Sequence, residues 1–232
     1  MIDIRPFASL GHAEHGWLDA HHHFSFAGYH DTARMGWGPI RVWNDDTISP
    51  RSGFPAHPHA NMEIVTFVRS GAITHKDSLG NIGRTGAGDV QVMSAGTGIT
   101  HAEYNLEDEA TTLFQIWIIP DRVDVTPNWG QRQFPHGERA GRWEIVASGN
   151  PDADNALPIQ TDARVLAATL PAGERLDYAV DPSRHLYLVS ASGRIRINGR
   201  EAQPRDGIAI TNESTFTVEA LDQAELVLVD AK

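Results

Sequence analysis

The chain has 232 residues, enough for one large β domain or two small ones that each bury a core. Its 19 basic and 30 acidic side chains leave a net charge of −11, which argues against binding phosphate backbones, where clustered Lys and Arg are needed. With no cysteine there is no disulfide, iron–sulfur cluster, thiolate zinc site or cysteine nucleophile, so any metal must be held by nitrogen and oxygen.

Taken in chain order, the opening Met1-Ile2-Asp3-Ile4-Arg5-Pro6 lacks the basic-then-apolar run of a secretory signal, and no later apolar stretch reaches the length of a membrane span. A cytoplasmic protein without membrane or nucleic-acid partners is expected. Residues 11–29 are rich in histidine and aromatics but irregular, and are expected to pack as a flap. Short runs rich in Val, Ile, Thr and aromatics follow at 40–43, 64–68, 90–93, 113–119, 185–189, 194–197, 208–210, 216–219 and 225–229. Each is closed by turn residues, the pattern of an antiparallel sandwich or barrel. The loop-rich stretch 120–141 reads as a connection, and 144–168 as the start of a second half. Val68-Arg69-Ser70-Gly71-Ala72-Ile73 resembles Val189-Ser190-Ala191-Ser192-Gly193-Arg194-Ile195, and Gly88-Asp89-Val90-Gln91-Val92 resembles Asp206-Gly207-Ile208-Ala209-Ile210. The offset of about 120 residues is the size of one small barrel, which predicts two of them.

Ten of the 12 histidines precede residue 102. In His57-Pro58-His59, leading through Asn61-Met62-Glu63 into a strand, alternate residues share a face, and Pro58 suits an edge or mouth position because it donates no ladder hydrogen bond. His101-Ala102-Glu103 repeats the spacing after the bend-permitting Gly96-Thr97-Gly98. Two such pairs on facing strands bring three imidazoles and a carboxylate to one point, with metal bonds within reach. Glu63 has the right parity as well, so spacing alone does not choose between Glu63 and Glu103. The triple His21-His22-His23 lies in irregular sequence without a neighbouring carboxylate pair and reads as packing or a pocket wall. His75, near a turn, reads as structural or pocket-lining.

The motifs Gly16-Trp17-Leu18-Asp19, Phe24-Ser25-Phe26, Asn44-Asp45-Asp46, His57-Pro58-His59, Met62-Glu63-Ile64, Met93-Ser94-Ala95-Gly96-Thr97-Gly98-Ile99, His101-Ala102-Glu103-Tyr104-Asn105 and Gln115-Ile116-Trp117 together resemble the pirin family of the cupin superfamily, and within it bacterial members with quercetinase-type activity. The resemblance implies an all-β bicupin: two jelly-roll barrels, 1–135 with a metal and 136–232 without. It implies that His57, His59, His101 and Glu103 hold the ion, with Glu63 orienting a ligand imidazole. Iron(II) is the metal it favours, and nickel, copper, manganese, cobalt or zinc also suit the donor set.

The implied reaction is of the quercetin 2,3-dioxygenase type. A flavonol 3-hydroxyl loses its proton to Glu103, and dioxygen opens the heterocycle with release of carbon monoxide. The partners are then a flat flavonol-like substrate and dioxygen, with Phe24, Phe26, Trp37 and Phe54 as candidate walls of a slot. A monomer is expected, since two barrels in one chain already mimic a dimer. The alternatives are a non-catalytic metal-bearing scaffold that docks on a protein partner, and a metal-dependent isomerase or lyase.

Overall fold

Because successive strand residues point to opposite faces, the strands sort their side chains between two barrel interiors and a core shared by both. The computed structural model describes the backbone of residues 1–232 and every side chain except those of His136 and Glu138. The strands of the first half, in chain order, are β1 (Ile2–Arg5), β2 (Gly11–Glu14), β3 (Leu18–His22), β4 (Ile40–Ile48), β5 (Ser52–His59), β6 (Glu63–Ser70), β7 (Ala72–Asp77), β8 (Ile82–Gly86), β9 (Val90–Ser94), β10 (Ile99–Asn105), β11 (Thr111–Ile118) and β12 (Asn128–Arg132). Those of the second are β13 (Glu144–Ser148), β14 (Leu157–Pro158), β15 (Ala163–Leu170), β16 (Arg175–Ala179), β17 (His185–Ser192), β18 (Ile195–Ile197), β19 (Arg200–Ala202), β20 (Gly207–Ile210), β21 (Thr215–Ala220) and β22 (Ala224–Ala231). Among the described residues no helix is long and apolar enough to cross a membrane.

Each barrel closes a seven-stranded sheet with a four-stranded one. The first uses β12-β9-β6-β11-β4-β3-β2 and β5-β10-β7-β8; the second uses β1-β20-β17-β22-β15-β13-β14 and β16-β21-β18-β19. The repeated segments occupy equivalent places: β9-β6-β11-β4 and β20-β17-β22-β15 have the same order, and both copies turn through a glycine of positive φ, Gly71 and Gly193. The extra residue of the second copy sits at a register shift between Ser190 and Ser192. One strand changes sides. β1 pairs with β20, Ile2 opposite Ile210, so the chain begins in the sheet of the second barrel before building the first.

The two seven-stranded sheets pack against each other, which explains why their strands read as continuous apolar runs. In β15, Val165 and Ala167 join the core between the barrels, whereas Leu166, Ala168 and Leu170 fill the second barrel. In β11, Phe114, Ile116 and Ile118 face that shared core with Trp43, Phe67 and Tyr187, while Leu113 turns into the first barrel. Charged clamps flank the junction. Asp45 accepts from Arg69 and, at 2.5 Å, from Arg205, and Arg139 donates to the Gly88 carbonyl at 2.8 Å and to Glu225.

Two expectations change in detail. Residues 11–29 are not a loose flap: β2 and β3 form a hairpin that extends the large sheet by pairing with β4. The connection 120–141 carries an ordered edge strand, β12, which pairs with β9. Both segments were hard to read because edge strands need no continuous apolar pattern.

Candidate metal centre

The interiors of the two barrels differ in chemistry. The second is lined by Leu188, Phe216, Val218, Leu226 and Leu228. In the first, the buried positions of β10 are Ile99, His101, Glu103 and Asn105, and Gln91 of β9 and Gln115 of β11 are buried beside them. Apolar clusters at either end, one around Leu113 and Ile73 and one around Ile64 and Met93, leave this polar middle between them.

His57 lies directly across from His101 in the β5–β10 register, and His59 lies across from Ile99. The register shifts between His101 and Glu103, so that Phe54 rather than residue 55 faces Glu103. Such a bulge re-aims side chains next to a site. Here it places the Pro55 carbonyl 2.7 Å from His57 Nδ1, which as the donor leaves His57 Nε2 bare. Gly53 allows the close approach of the strands: a Cβ there would fall 2.2 Å from the Glu103 carbonyl oxygen.

One ring nitrogen from each of His57, His59 and His101 lies within 4.8 Å of the other two. His57 Nε2 and His101 Nε2 are 3.1 Å apart. Cis ligands of an octahedral ion with bonds of about 2.1 Å are separated by about 3.0 Å, so this spacing suits a shared cation.

A buried relay fixes the state of His101. His75, stacked on Trp129 with ring centroids 4.7 Å apart, has Nε2 3.0 Å from Asp77 Oδ2 and Nδ1 3.4 Å from His101 Nδ1. Asp77 also accepts from the Leu79 and Asn81 amides. Burial raises the Asp77 pKa, but the hydrogen bonds from His75, Asn81 and Leu79 outweigh it and hold the carboxyl below its ordinary value. An ionised Asp77 makes His75 Nε2 the donor, His75 Nδ1 an acceptor and His101 Nδ1 a donor, a tautomer assignment that rests on the network. His101 Nε2 is then also bare, and two lone pairs face each other at 3.1 Å. A cation between them turns that repulsion into bonding. Burial, reinforced by the neighbouring imidazoles, lowers His59 to about 4 and His101 to about 3, so both are neutral at pH 7 with a lone pair to offer a cation. The residues fit a divalent metal.

Glu103 forms a cluster with His101 and His75 rather than with all three of the other expected ligands. Gln91 Nε2 donates to its Oε1 at 2.6 Å and Gln115 Nε2 to its Oε2 at 2.8 Å. Gln115 is itself oriented by Trp117, whose Nε1 donates to Gln115 Oε1 at 3.0 Å. Burial pushes Glu103 up to about 7 against the pull of these donors and Thr66.

Glu63 takes no part. The chain does not run straight from His59: Asn61 adopts φ of 48°, a corner that carries Glu63 into the opposite sheet, where its Oε2 accepts from Ser94 Oγ at 2.5 Å. It therefore orients no ligand imidazole in this structure, and β6 rather than β5 sets its direction. His75 and Asp77 were the undervalued residues. Their i,i+2 spacing on β7 was a signal of the same kind as the two pairs that stood out.

A cavity of about 400 Å³ adjoins the centre and is lined by Leu18, Ala20, His22, Phe26, Tyr29, Asn44, Asp46, Phe54 and Gln115. Gln115 links it to Glu103, and the Phe54 ring centroid lies 6.3 Å from that of His57. Of the four expected slot residues, Phe26 and Phe54 line this cavity. Phe24 is buried in the core between the barrels, and Trp37 donates from Nε1 to the Leu186 carbonyl of the second barrel. The histidine triple splits three ways: His22 lines the cavity, His23 Nδ1 lies 3.0 Å from the Tyr187 hydroxyl, and His21 faces Asp19.

Residues 4–118 match the family model described as Pirin. A pirin-like protein of Caulobacter vibrioides is 59% identical over 231 residues, covering 100% of both chains. The chain belongs to the pirin family. This pirin also matches, over residues 145–231, the model described as the quercetinase C-terminal cupin domain, which makes the pair of barrels a bicupin. A protein named quercetin 2,3-dioxygenase from Escherichia coli strain K12 is 40% identical over 232 residues, covering 99% of this chain and 98% of its own. The crystal structure of the bacterial pirin YhhW from Escherichia coli in complex with nickel(II) is similar with a TM-score of 0.93 and 40% identity, covering 100% of this chain and 99% of that one.

Proposed function

We propose that this pirin holds one divalent metal ion with His57, His59, His101 and Glu103 and opens the heterocycle of flavonol-like substrates with dioxygen. The observation that carries the reading is the convergence of three imidazoles beside a buried carboxylate, next to a largely apolar cavity. When bound there, the metal supplies Lewis acidity at a nitrogen–oxygen site that four protein donors leave partly open. Iron(II) is the ion we favour, and this donor set also suits nickel(II), the ion in the Escherichia coli pirin structure.

The residues of the chain divide the remaining work. Phe26, Tyr29 and Phe54 form walls against which a flat aromatic ring packs, in a cavity whose volume falls in the range of small-molecule sites. Gln115 connects that cavity to Glu103. Glu103 would be the base for the substrate hydroxyl while its hold on the ion is weak: burial then raises its affinity for a proton, and its two amide donors fix where the carboxylate sits. Asp77 and His75 keep the His101 proton on Nδ1, away from the ion. We place this protein in the cytoplasm as a monomer, with a domain boundary near residues 135–136.

The test is incubation of iron-loaded protein with quercetin under air, following loss of the near-ultraviolet flavonol band and uptake of dioxygen. The reading expects both to proceed together and Glu103→Ala to abolish them. An intact flavonol in the presence of fully loaded protein overturns the enzymatic reading, and a stoichiometric co-purifying protein then favours the non-catalytic scaffold.

A further inference from the structure

The spacing that marked the main centre recurs at the edge of the large sheet. His12-Ala13-Glu14 on β2 faces Asp19-Ala20-His21 on β3, with His12 opposite His21 and Glu14 opposite Asp19 in register. Cross-strand partners and i,i+2 neighbours share a face, so all four side chains project from one side of the hairpin. Asp19 Oδ1 lies 3.3 Å from His12 Nε2 and 3.2 Å from His21 Nδ1. Donors around a single ion with bonds of about 2.0–2.1 Å stand about 3.0–3.4 Å apart. His21 Nδ1 is buried, and its 3.2 Å approach to Asp19 Oδ1 is not aligned as a hydrogen bond, so a cation bonded to both atoms would satisfy it better.

We infer that His12, Asp19 and His21 form a second transition-metal site, separate from the centre at His57. Two imidazoles and a carboxylate select a zinc-, nickel- or copper-class ion over magnesium or calcium. Arg205 is a cation that acts on His21, but its guanidinium stacks on the Phe7 ring at 3.9 Å and pairs with Asp45 at 2.5 Å, so its charge is already offset. Glu14, engaged by the Gly16 amide at 2.6 Å, adds negative charge beside the site. On the reverse face of the hairpin, Leu18, Ala20 and His22 line the cavity beside the main centre, and His12 itself reaches its edge. An ion bridging β2 to β3 therefore pins an edge hairpin that is also a cavity wall.

The test titrates untagged, metal-free protein with nickel(II) alone, reading stoichiometry by calorimetry and metal analysis. Wild type is expected to bind two ions per chain, and His12→Ala and His57→Ala one each. His12 is half exposed, so His12→Ala keeps the fold, checked by circular dichroism. Amide exchange across residues 11–22 slows on nickel addition in His57→Ala and stays unchanged in His12→Ala. Saturation of wild type at one ion that His12→Ala still binds, two ions retained by His12→Ala, or unchanged exchange in His57→Ala overturns the assignment. Because the main centre is counted independently, its failure to bind is distinguishable from failure of this one.

Discussion

Glu103→Gln in the metal-free protein isolates the cost of burying a carboxylate in the first barrel. Burial moves Glu103 from 4.5 to about 7. An acid whose folded pKa lies above its unfolded one holds its proton more tightly in the native state. Its contribution is present in full below about 4.5 and is lost as pH rises through about 7. The gap corresponds to about 3 kcal/mol, most of it lost between about pH 5 and pH 7. His59 and His101 act with the opposite sign: their folded pKa values lie below 6.5, so their contribution is present above 6.5 and lost as pH falls through about 4 and about 3. The wild-type profile alone therefore mixes the two effects, and the difference between wild type and variant separates them. The introduced amide carries no titrating proton, and its NH2 meets the donors of Gln91 or Gln115, which lowers the variant by a similar amount at every pH. Urea unfolding across pH 5 to 8 should show wild-type stability falling by about 2–3 kcal/mol relative to Glu103→Gln. A difference that stays constant with pH would refute the reasoning.

Three other outcomes follow from the same geometry. Asp77→Asn frees the tautomers of His75 and His101 and should weaken nickel binding about 10–100-fold by calorimetry, with circular dichroism unchanged. Gly53→Ala places a Cβ 2.2 Å from the Glu103 carbonyl oxygen and 2.6 Å from Tyr104 Cα, so β5 must move off β10; thermal unfolding should show a loss of about 2 kcal/mol or more, together with weaker metal binding. Trp43→Ala empties part of the core shared by the two large sheets and should cost about 3–5 kcal/mol in urea unfolding; a loss below about 1 kcal/mol would deny that the barrels share it.

Much of this was legible in the sequence because strand chemistry is local. The runs at 64–68 and 113–119 fall largely on β6 and β11, and their apolar character, broken only by Thr66 and Gln115 beside Glu103, reflects burial on both faces. The pairs His57/His59 and His101/Glu103 were visible for the same reason, since a period of two puts each pair on one face. What local pattern does not carry is the path of the chain between strands. Glu63 has the parity of a ligand, and one residue of positive φ, Asn61, takes it to the other sheet. Phe24 and Trp37 are as aromatic as Phe26 and Phe54, and only the packing of the second barrel decides that they leave the cavity. Nor does sequence show that β1 belongs to the sheet of the second barrel, a pairing between residues about 200 apart that depends on closure of the whole fold.

The anomalous difference map of nickel-soaked crystals, collected at the nickel edge, tests the central claim most directly. The account predicts a peak within about 2.0–2.2 Å of ring nitrogens from His57, His59 and His101 and of a carboxylate oxygen of Glu103. A fully soaked crystal with no density between those side chains, or with an ion there that Glu103 does not touch, contradicts it.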